Sequence, residues 1–148
     1  MNSEMKLIYV ACFYLNEDGK GYTVTVPDLP GCTTFGNDLK ESMEMAVDAA
    51  SGWILGELEE GQPVPRASDI DDIVVDDELN INNKAFKSLI VLDMDSYADK
   101  YGEKSVRKNT TIPAWLNTFA ENNNINFSEV LKDGLINIYN QKESEHNK

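Results

Sequence analysis

Along the first third of the chain, apolar residues occur in short continuous or alternating runs, separated by polar residues, as is typical of a β-sheet. Continuous or alternating apolar residues at 7–14, 22–26 and 32–35 predict three strands. A polar, glycine-containing turn at 16–21 and a rigid bend at 27–31, with two prolines and a glycine, separate them. The pattern therefore predicts a hairpin followed by a third short strand.

A helical period begins after residue 37. Asp38 and Glu41 have the spacing of a helix-capping pair, and they predict a long helix over residues 39–60. Gly52 and Gly56 would weaken this helix, so we expect them to pack closely on the sheet. The predicted inward stripe consists of Leu39, Met43, Ala46, Ala50 and Trp53.

The middle of the chain is acidic and less regular. Residues 66–88 carry many Asp and Glu side chains and predict a mostly irregular segment. The apolar run 88–92 predicts a fourth strand, and residues 95–101 predict a short helix. The first part of the chain is therefore expected to be one sheet with a long helix on one face, an α+β arrangement.

The last third of the chain predicts one strand and two helices. The strand covers residues 106–112 and ends at Pro113, which suits the first turn of a helix. Three asparagines at 122–124 break the helical pattern, and Asn126 with Glu129 predicts the cap of a second helix. Its apolar stripe consists of Phe127, Val130, Leu131, Gly134, Leu135 and Ile138. The glycine in this stripe suggests that another backbone approaches closely.

The predicted strand has two different faces, because successive side chains of a strand alternate. Val106, Lys108, Thr110 and Ile112 share one face. The other face carries a guanidinium, an amide and a hydroxyl, groups suited to reading base edges in a major groove, at Arg107, Asn109 and Thr111. About 35 residues with one unpaired strand cannot bury a sufficient core alone. Two copies that pair their strands and interlock their helices would remove both defects.

Charge divides the chain into unlike parts. The formal net charge is −13. Residues 1–99 hold 6 Lys and Arg against 20 Asp and Glu, net −14, and residues 100–148 hold 7 against 6, net +1. The second part can approach nucleic acid, whereas the first would be repelled by phosphates and suits a basic partner. A simpler interpretation is that the acids only keep the chain soluble.

Composition excludes several classes of protein. The single histidine, His146, argues against His-based metal sites and against Ser-His or Cys-His catalysis. Cys12 and Cys32 both fall in strand-like runs, so we expect reduced core thiols. No run is long enough to span a membrane and no signal peptide is evident, which predicts a cytoplasmic protein. We expect no metal and no cofactor.

The C-terminal pattern closely resembles the ribbon-helix-helix family of DNA-binding dimers, over residues 105–140. That resemblance implies a paired ribbon in the major groove, with Arg107, Asn109 and Thr111 reading bases. It makes Asn126 the cap of the second helix, and it assigns a phosphate to the N–H groups of Phe127 and Ser128. The family usually has apolar residues along the inward strand face, where this chain has Lys108 and Thr110. Two alternatives are a dimerisation unit that touches no DNA and the opposite assignment of the strand faces.

The run Tyr22-Thr23-Val24-Thr25-Val26-Pro27-Asp28-Leu29-Pro30-Gly31-Cys32-Thr33-Thr34-Phe35-Gly36-Asn37-Asp38-Leu39 resembles HicB antitoxins, and the similarity covers about residues 5–65. It implies a degenerate ribonuclease-H-like, toxin-binding domain at 1–98, a linker at 99–104, the ribbon-helix-helix domain at 105–142 and a polar tail at 143–148. The implied partners are a HicA-type ribonuclease toxin, which cleaves messenger RNA, and operator DNA of its own operon. The implied assembly is a homodimer or a higher even-numbered one.

For the toxin contact we select the bend at Asp28, Leu29 and Pro30 together with the acidic segment. No catalytic residues are expected. A residual nuclease is the remaining enzymatic hypothesis, with Asp28, Asp93 and Asp95 as metal-binding carboxylates. Against it, Asp28 would accept hydrogen bonds within its own bend. A further hypothesis is a stand-alone transcription regulator whose first domain binds another ligand or only oligomerises.

Overall fold

The computed structural model describes residues 4–102 and 105–146. Their contacts separate two compact units, one of Lys6–Gly102 and one of residues 105–146 with Glu4 and Met5. Residues 103 and 104 of the predicted linker lie outside the described residues. Across both described stretches, no helix combines the length and the apolarity that crossing a bilayer requires.

The first unit contains a four-stranded antiparallel sheet of order β3-β2-β1-β4. The four predicted strands are confirmed, with ends shifted by one or two residues. They are β1 (Lys6–Leu15), β2 (Tyr22–Thr25), β3 (Thr33–Gly36) and β4 (Phe86–Asp93). The central strand β1 is buried on both faces, since Tyr9 to Tyr14 are all buried. The protein is therefore α+β, as predicted.

Helix α1 (Leu39–Glu59) begins at the predicted cap. The Glu41 N–H donates to Asp38 Oδ1 at 2.8 Å, and Glu41 Oε1 accepts from the Asn37 N–H at 3.0 Å. The start of the helix lies so close to β3 that a Cβ on Gly36 would be 2.3 Å from the Ser42 nitrogen. Only glycine fits at this position. The close approach at Gly36 and the cap at Asp38 together fix the position of the start of α1 against the sheet.

The face of α1 that packs inward differs from the predicted stripe. Ala46 and Ala50 are buried as predicted, but Leu39 is 48% exposed. Gly52 faces the Tyr97 hydroxyl rather than the sheet, and Gly56 has no neighbour within 4 Å of an added Cβ. The helix lies close to the sheet on small side chains, so Ser42 and Ser51, which the apolar pattern leaves out of the stripe, are buried as well. The buried residues are Ser42, Ala46, Ala50, Ser51, Ile54 and Leu55.

Three more helices follow β4: α2 (Met94–Tyr101), α3 (Ala114–Asn122) and α4 (Phe127–His146). Helix α4 continues to His146, so residues 143–146 of the predicted polar tail belong to it. Residues 105–113 form no strand in the single chain, contrary to the prediction for 106–112. A strand requires hydrogen bonds to a neighbouring strand, and none of the described segments provides one there. Whether these residues form a ribbon between two copies stays a prediction.

Candidate functional site

Residues 65–85, here termed the strap, cover one face of the sheet. The buried residues Val10, Cys12 and Tyr14 of β1 form an apolar cluster with Ile73 of the strap. Around this cluster the strap packs further partly buried residues, namely Ile70, Val75 and Ala85. The acidic segment is therefore irregular, as predicted, apart from one short 3-10 turn at Ile70–Asp72, and it is bound to the domain through its apolar positions.

Polar side chains of the sheet hold the backbone of the strap. Lys87 Nζ donates to the carbonyl oxygens of Ile70 at 2.7 Å and Ile73 at 2.9 Å. The Asp76 N–H donates to the Tyr14 hydroxyl at 2.8 Å, and the Tyr9 hydroxyl donates to the Pro65 carbonyl. These anchors engage main-chain atoms and thus leave the acidic side chains free to point outward. Local sequence patterns do not reveal these hydrogen bonds, because each joins residues at least 14 positions apart.

Asp28 fastens the strap to the bend that precedes β3. Its Oδ2 accepts from the Ser68 N–H at 2.6 Å, and its Oδ1 accepts from the Ser68 hydroxyl at 2.7 Å. The expectation that Asp28 bonds within its own bend is wrong, because the strap offers both donors from 40 residues away. In the same bend, Trp53 Nε1 donates to the Pro30 carbonyl at 3.0 Å.

The other predicted contact residues of the bend differ in exposure. Pro30 is exposed, whereas Leu29 is only 1% exposed and belongs to the core. The Leu29 side chain cannot contact a partner without unfolding the bend, which corrects its selection from the sequence. The bend folds it inward through hydrogen bonds from the Leu29 N–H to the Val26 carbonyl and from the Cys32 N–H to the Leu29 carbonyl, both 2.9 Å.

The outer surface of the strap is strongly acidic. All six of its carboxylates are exposed, at Asp69, Asp71, Asp72, Asp76, Asp77 and Glu78. Val74 lies in the middle of them and is 85% exposed. Since the strap backbone is anchored at several points, these charges occupy fixed positions on the domain. The arrangement suits the docking of a basic surface with an apolar centre.

Metal or thiol chemistry finds no support among the described residues, in which no three His, Cys, Asp or Glu side chains come together as a metal site would require. Asp93 caps α2, since its Oδ1 accepts from the Ser96 N–H at 3.2 Å. Burial raises the pKa of both Cys12 and Cys32, so the two free thiols are protonated at neutral pH. The predicted reduced core thiols are confirmed.

Replacement of Asp28 by Asn is expected to loosen the strap. The amide keeps one acceptor but loses the charge, and hydrogen bonds to charged groups contribute about 1.5–3 kcal/mol. Asp28 is partly exposed, so we expect a cost near 1 kcal/mol and about fivefold faster trypsin cleavage after the exposed Arg66. Asp18→Asn is the matched control, because Asp18 accepts two backbone N–H bonds within its own turn. Equal cleavage rates in both variants would refute the anchoring role of Asp28.

The second unit carries an open apolar groove of about 490 Å³ between the segment before α3 and the two helices. Lys108, Thr110 and Ile112 line it together, as the predicted strand alternation requires. The helices contribute Leu116, Phe119, Ala120, Ile125, Phe127, Ser128, Val130 and Leu131. Among described residues 105–145 only Ala120 is buried, while Leu131 and Phe119 are 45% and 52% exposed. This surface is far more apolar than a solvated helix face.

Gly134, which was predicted to meet another backbone, has no neighbour within 4 Å of an added Cβ in the single chain. Arg107, Asn109 and Thr111 are all exposed. Asn109 and Thr111 line neither this groove nor the adjoining one of about 750 Å³, whereas Arg107 lines the adjoining groove beside Lys108. Asn109 and Thr111 are thus turned away from both grooves, and Arg107 lies at the border of one.

The start of α4 has the predicted cap. The Glu129 N–H donates to Asn126 Oδ1 at 3.1 Å. The N–H groups of Phe127 and Ser128 make no hydrogen bond within the part of the chain that the structure describes. They lie in the first turn of a 20-residue helix, where the dipole favours an anion.

Comparison with known protein families gives one match that covers most of the chain. A family model described as "HicB_like antitoxin of bacterial toxin-antitoxin system" matches residues 9–133. A curated relative from Haemophilus phage HP1 (strain HP1c1), an uncharacterized 14.9 kDa protein in the rep-hol intergenic region, is 34% identical over 110 residues. That alignment covers 74% of this chain and 76% of the phage protein.

Two solved structures resemble the fold. A chain of a toxin-antitoxin complex from Streptococcus pneumoniae is 24% identical, with a TM-score of 0.58 over 90% of this chain and 99% of that one. The antitoxin HicB of Burkholderia pseudomallei is 21% identical, with a TM-score of 0.51 over 88% of this chain and 96% of that one. Both similarities extend across the two units, so the order of the two units is shared as well.

Proposed function

Because the chain belongs to the HicB-like antitoxin family of bacterial toxin–antitoxin systems, we propose that it neutralises a HicA-type, mRNA-cleaving toxin and represses its own operon. In this proposal the unit Lys6–Gly102 binds the toxin, and a ribbon-helix-helix dimer of the C-terminal unit binds the operator. The protein acts in the cytoplasm and needs no cofactor.

The observation that carries toxin binding is the anchored strap with its six exposed carboxylates. An enzyme that cleaves mRNA needs a positive surface for the phosphate backbone of its substrate. An acidic partner held in a fixed shape can occupy that surface and exclude RNA by volume and by charge. Neutralisation by this route requires no catalytic group from the antitoxin. Asp28 would contribute by positioning the strap, and exposed Pro30 would lie at the margin of the contact.

The experiment that tests the function is purification of the tagged chain after co-expression with its flanking reading frames. We expect a short basic protein to stay bound in near-stoichiometric amount and to arrest growth when it is expressed alone. Identification by mass spectrometry and a growth assay give the two readings. A chain that purifies without a companion, yet binds DNA, would instead be a stand-alone regulator.

Loss of charge from the strap should slow toxin binding. We expect the triple variant Asp71→Asn, Asp72→Asn and Asp77→Asn to associate with the toxin about tenfold more slowly at low salt, because rim charges act chiefly on the association rate. The same variant should show a weaker dependence of that rate on salt. Surface plasmon resonance over a salt series measures both quantities.

The matched control removes three carboxylates elsewhere. Glu44→Gln, Asp48→Asn and Glu60→Gln lie on exposed positions of α1 and its end, and they change the net charge by the same amount. If both triple variants slow association equally, only the overall charge matters and the strap is not the contact surface.

DNA binding is supported by the apolar groove and by the polar side of the segment before α3. We propose that residues 106–112 of two chains pair antiparallel, which satisfies the unpaired backbone of each and covers both grooves. Arg107, Asn109 and Thr111 then face the major groove of the operator. Asn126 caps α4, and the N–H groups of Phe127 and Ser128 bind a backbone phosphate.

A further inference from the structure

Val74 projects from the middle of the strap, away from the core. Its side chain is 85% exposed, although it lies within the apolar run Ile73-Val74-Val75. Ile73 is buried in the apolar cluster of the strap and β1, and Val75 packs against the same cluster. The run thus alternates as a strand does, with its two outer side chains toward the sheet and the middle one toward solvent. Val74 is therefore available to a partner at no cost to the core.

The sheet holds the backbone on both sides of Val74. The Ile73 carbonyl accepts from Lys87 Nζ at 2.9 Å, and the Asp76 N–H donates to the Tyr14 hydroxyl at 2.8 Å. A valine side chain is also stiff, because the branch at Cβ restricts χ1. A side chain that is already held in place loses little conformational entropy when a partner covers it. Burial of Val74 would therefore stabilise a complex at little entropic cost.

The charge around Val74 restricts what can cover it. Residues 67–83 contain five Asp, one Glu and neither Lys nor Arg, net −6. The Lys87 ammonium is bonded to two carbonyl oxygens of the strap, so a strong negative charge remains on this surface. The strap of a second copy, nucleic acid and an anionic membrane are all repelled by it. A basic protein surface is attracted, and its cations can pair with the carboxylates around the valine.

The arrangement also indicates the form of the partner surface. Stable protein–protein contacts have an apolar centre that excludes water and a polar rim around it. Here the exposed carboxylates before and after Val74 would form the rim. One of them is fixed by its own turn, since Asp76 Oδ1 accepts from the Glu78 N–H at 2.9 Å. A carboxylate that is covered without a cation is costly, so the partner needs an apolar recess bordered by Lys or Arg side chains.

We propose that Val74 is the central contact residue of the toxin-binding surface, and that it inserts into an apolar recess within the basic, RNA-binding surface of the toxin. This role rests on the toxin binding given under Proposed function. The carboxylates of the strap set the rate of association, because charge acts over a distance during the approach. Val74 sets the rate of dissociation, because its apolar contact exists only after docking.

The test measures binding of the full chain to the basic protein that co-purifies with it, by surface plasmon resonance. Val74→Ala shortens the side chain, and Val74→Thr keeps its branched shape but replaces a methyl group by a hydroxyl. We expect Val74→Ala to dissociate about tenfold faster than the native chain and Val74→Thr about fivefold faster, because each loses apolar burial in the recess. The association rate and its dependence on salt should stay within about twofold of the native values.

Val91→Ala is the matched control, because Val91 is a 54% exposed valine of β4, in the same unit but outside the strap. It should leave both rates unchanged, and circular dichroism should show all three variants folded, as expected for substitutions at exposed positions. Native dissociation rates for both Val74 variants would overturn the role of Val74. So would an equal acceleration by Val91→Ala, because the loss of any exposed valine would then have the same effect.

Failure of this role and failure of the proposed function give different results. If the triple carboxylate variant associates slowly while both Val74 variants dissociate like the native chain, the strap binds the toxin but Val74 is not its central contact. If no basic protein co-purifies, the proposed toxin binding fails and the role of Val74 fails with it. Mass spectrometry of the purified sample separates these two results before any rate is measured.

Discussion

The Leu131→Glu variant is expected to form an assembly of half the mass of the native assembly and to lose specific operator binding. Leu131 is 45% exposed in the single chain, and it lines both grooves of the C-terminal unit. In the proposed dimer each copy would bury this side chain against the other. A glutamate there would place an unpaired charge in an apolar interface, which costs several kcal/mol.

The size of the expected effect follows from the free energy that burial of apolar side chains contributes to the proposed dimer interface. Ten large apolar side chains of the C-terminal unit are at least 36% exposed in the single chain, from Val106 at 77% to Leu116 at 36%. Full burial of one such side chain contributes about 1.5–3 kcal/mol. A dimer that covers most of them is therefore stable, and one buried carboxylate at its centre is enough to dissociate it at ordinary concentrations.

Loss of the dimer should reduce specific DNA affinity by about 1000-fold or more, down to the non-specific level, because one half-site alone gives little discrimination. Analytical ultracentrifugation measures the mass, and fluorescence anisotropy with operator DNA measures the affinity. Leu79→Glu serves as the matched control, since Leu79 is 38% exposed in the other unit. A Leu131→Glu chain that still binds operator DNA like the native chain would rule out the proposed dimer.

The sequence predicts those parts of this protein whose determinants are local. The cap of α1 requires Asp38 and Glu41 at a fixed spacing, and the cap of α4 requires Asn126 and Glu129 in the same way. Strand runs are equally local, since alternation or continuous apolarity within a few residues decides them. All four strands of the sheet and four helices were therefore predictable, with small differences at the ends.

The fixed conformation of the strap was not predictable in the same way, because it depends on contacts between residues that are distant in the sequence. Six carboxylates in a short segment favour an irregular chain by composition. What fixes it is the insertion of Ile73 beside Val10 and the hydrogen bonds from Lys87 and to Asp28. None of these pairings can be predicted from the pattern of apolar and polar residues within a few positions of the strap. The inward face of α1 differs from the predicted stripe for a related reason, since close packing on the sheet buries Ser42 and Ser51, which a pattern of apolar residues does not include.

Residues 105–113, the segment before α3, show a third limit of prediction from the sequence of a single chain. Its alternation predicts a strand, but a strand exists only when another strand accepts its hydrogen bonds. Among residues 4–102 and 105–146 of one chain, the segment 105–113 finds no such partner and forms no strand. The side chains nevertheless separate as the alternation requires, with Lys108 and Thr110 toward the apolar groove. The pattern thus describes the proposed assembly of two chains better than it describes one.

Arg107→Ala is expected to weaken operator binding by about 10- to 100-fold, and Asn109→Ala should act in the same direction. A guanidinium or an amide with two bonds to one base contributes about 1–3 kcal/mol of discrimination. Both residues are exposed, and neither lines the groove of about 490 Å³, although Arg107 borders the adjoining groove of about 750 Å³. Toxin binding should be unchanged in both variants, because the strap lies in the other unit. Anisotropy with operator and scrambled DNA separates the loss of specificity from a general loss of affinity.

Thr110 and Thr111 provide the sharpest control for this assignment, because they are adjacent and identical. Thr111 lies on the proposed base-reading side, whereas Thr110 lines the apolar groove. Thr111→Ala should therefore lower operator affinity without changing the mass of the dimer, and Thr110→Ala should leave base recognition intact. The reverse result, together with normal operator binding by Arg107→Ala, would assign base reading to Lys108 and Thr110. Because only one side of a ribbon can face DNA while the other packs on the helices, the two outcomes exclude each other.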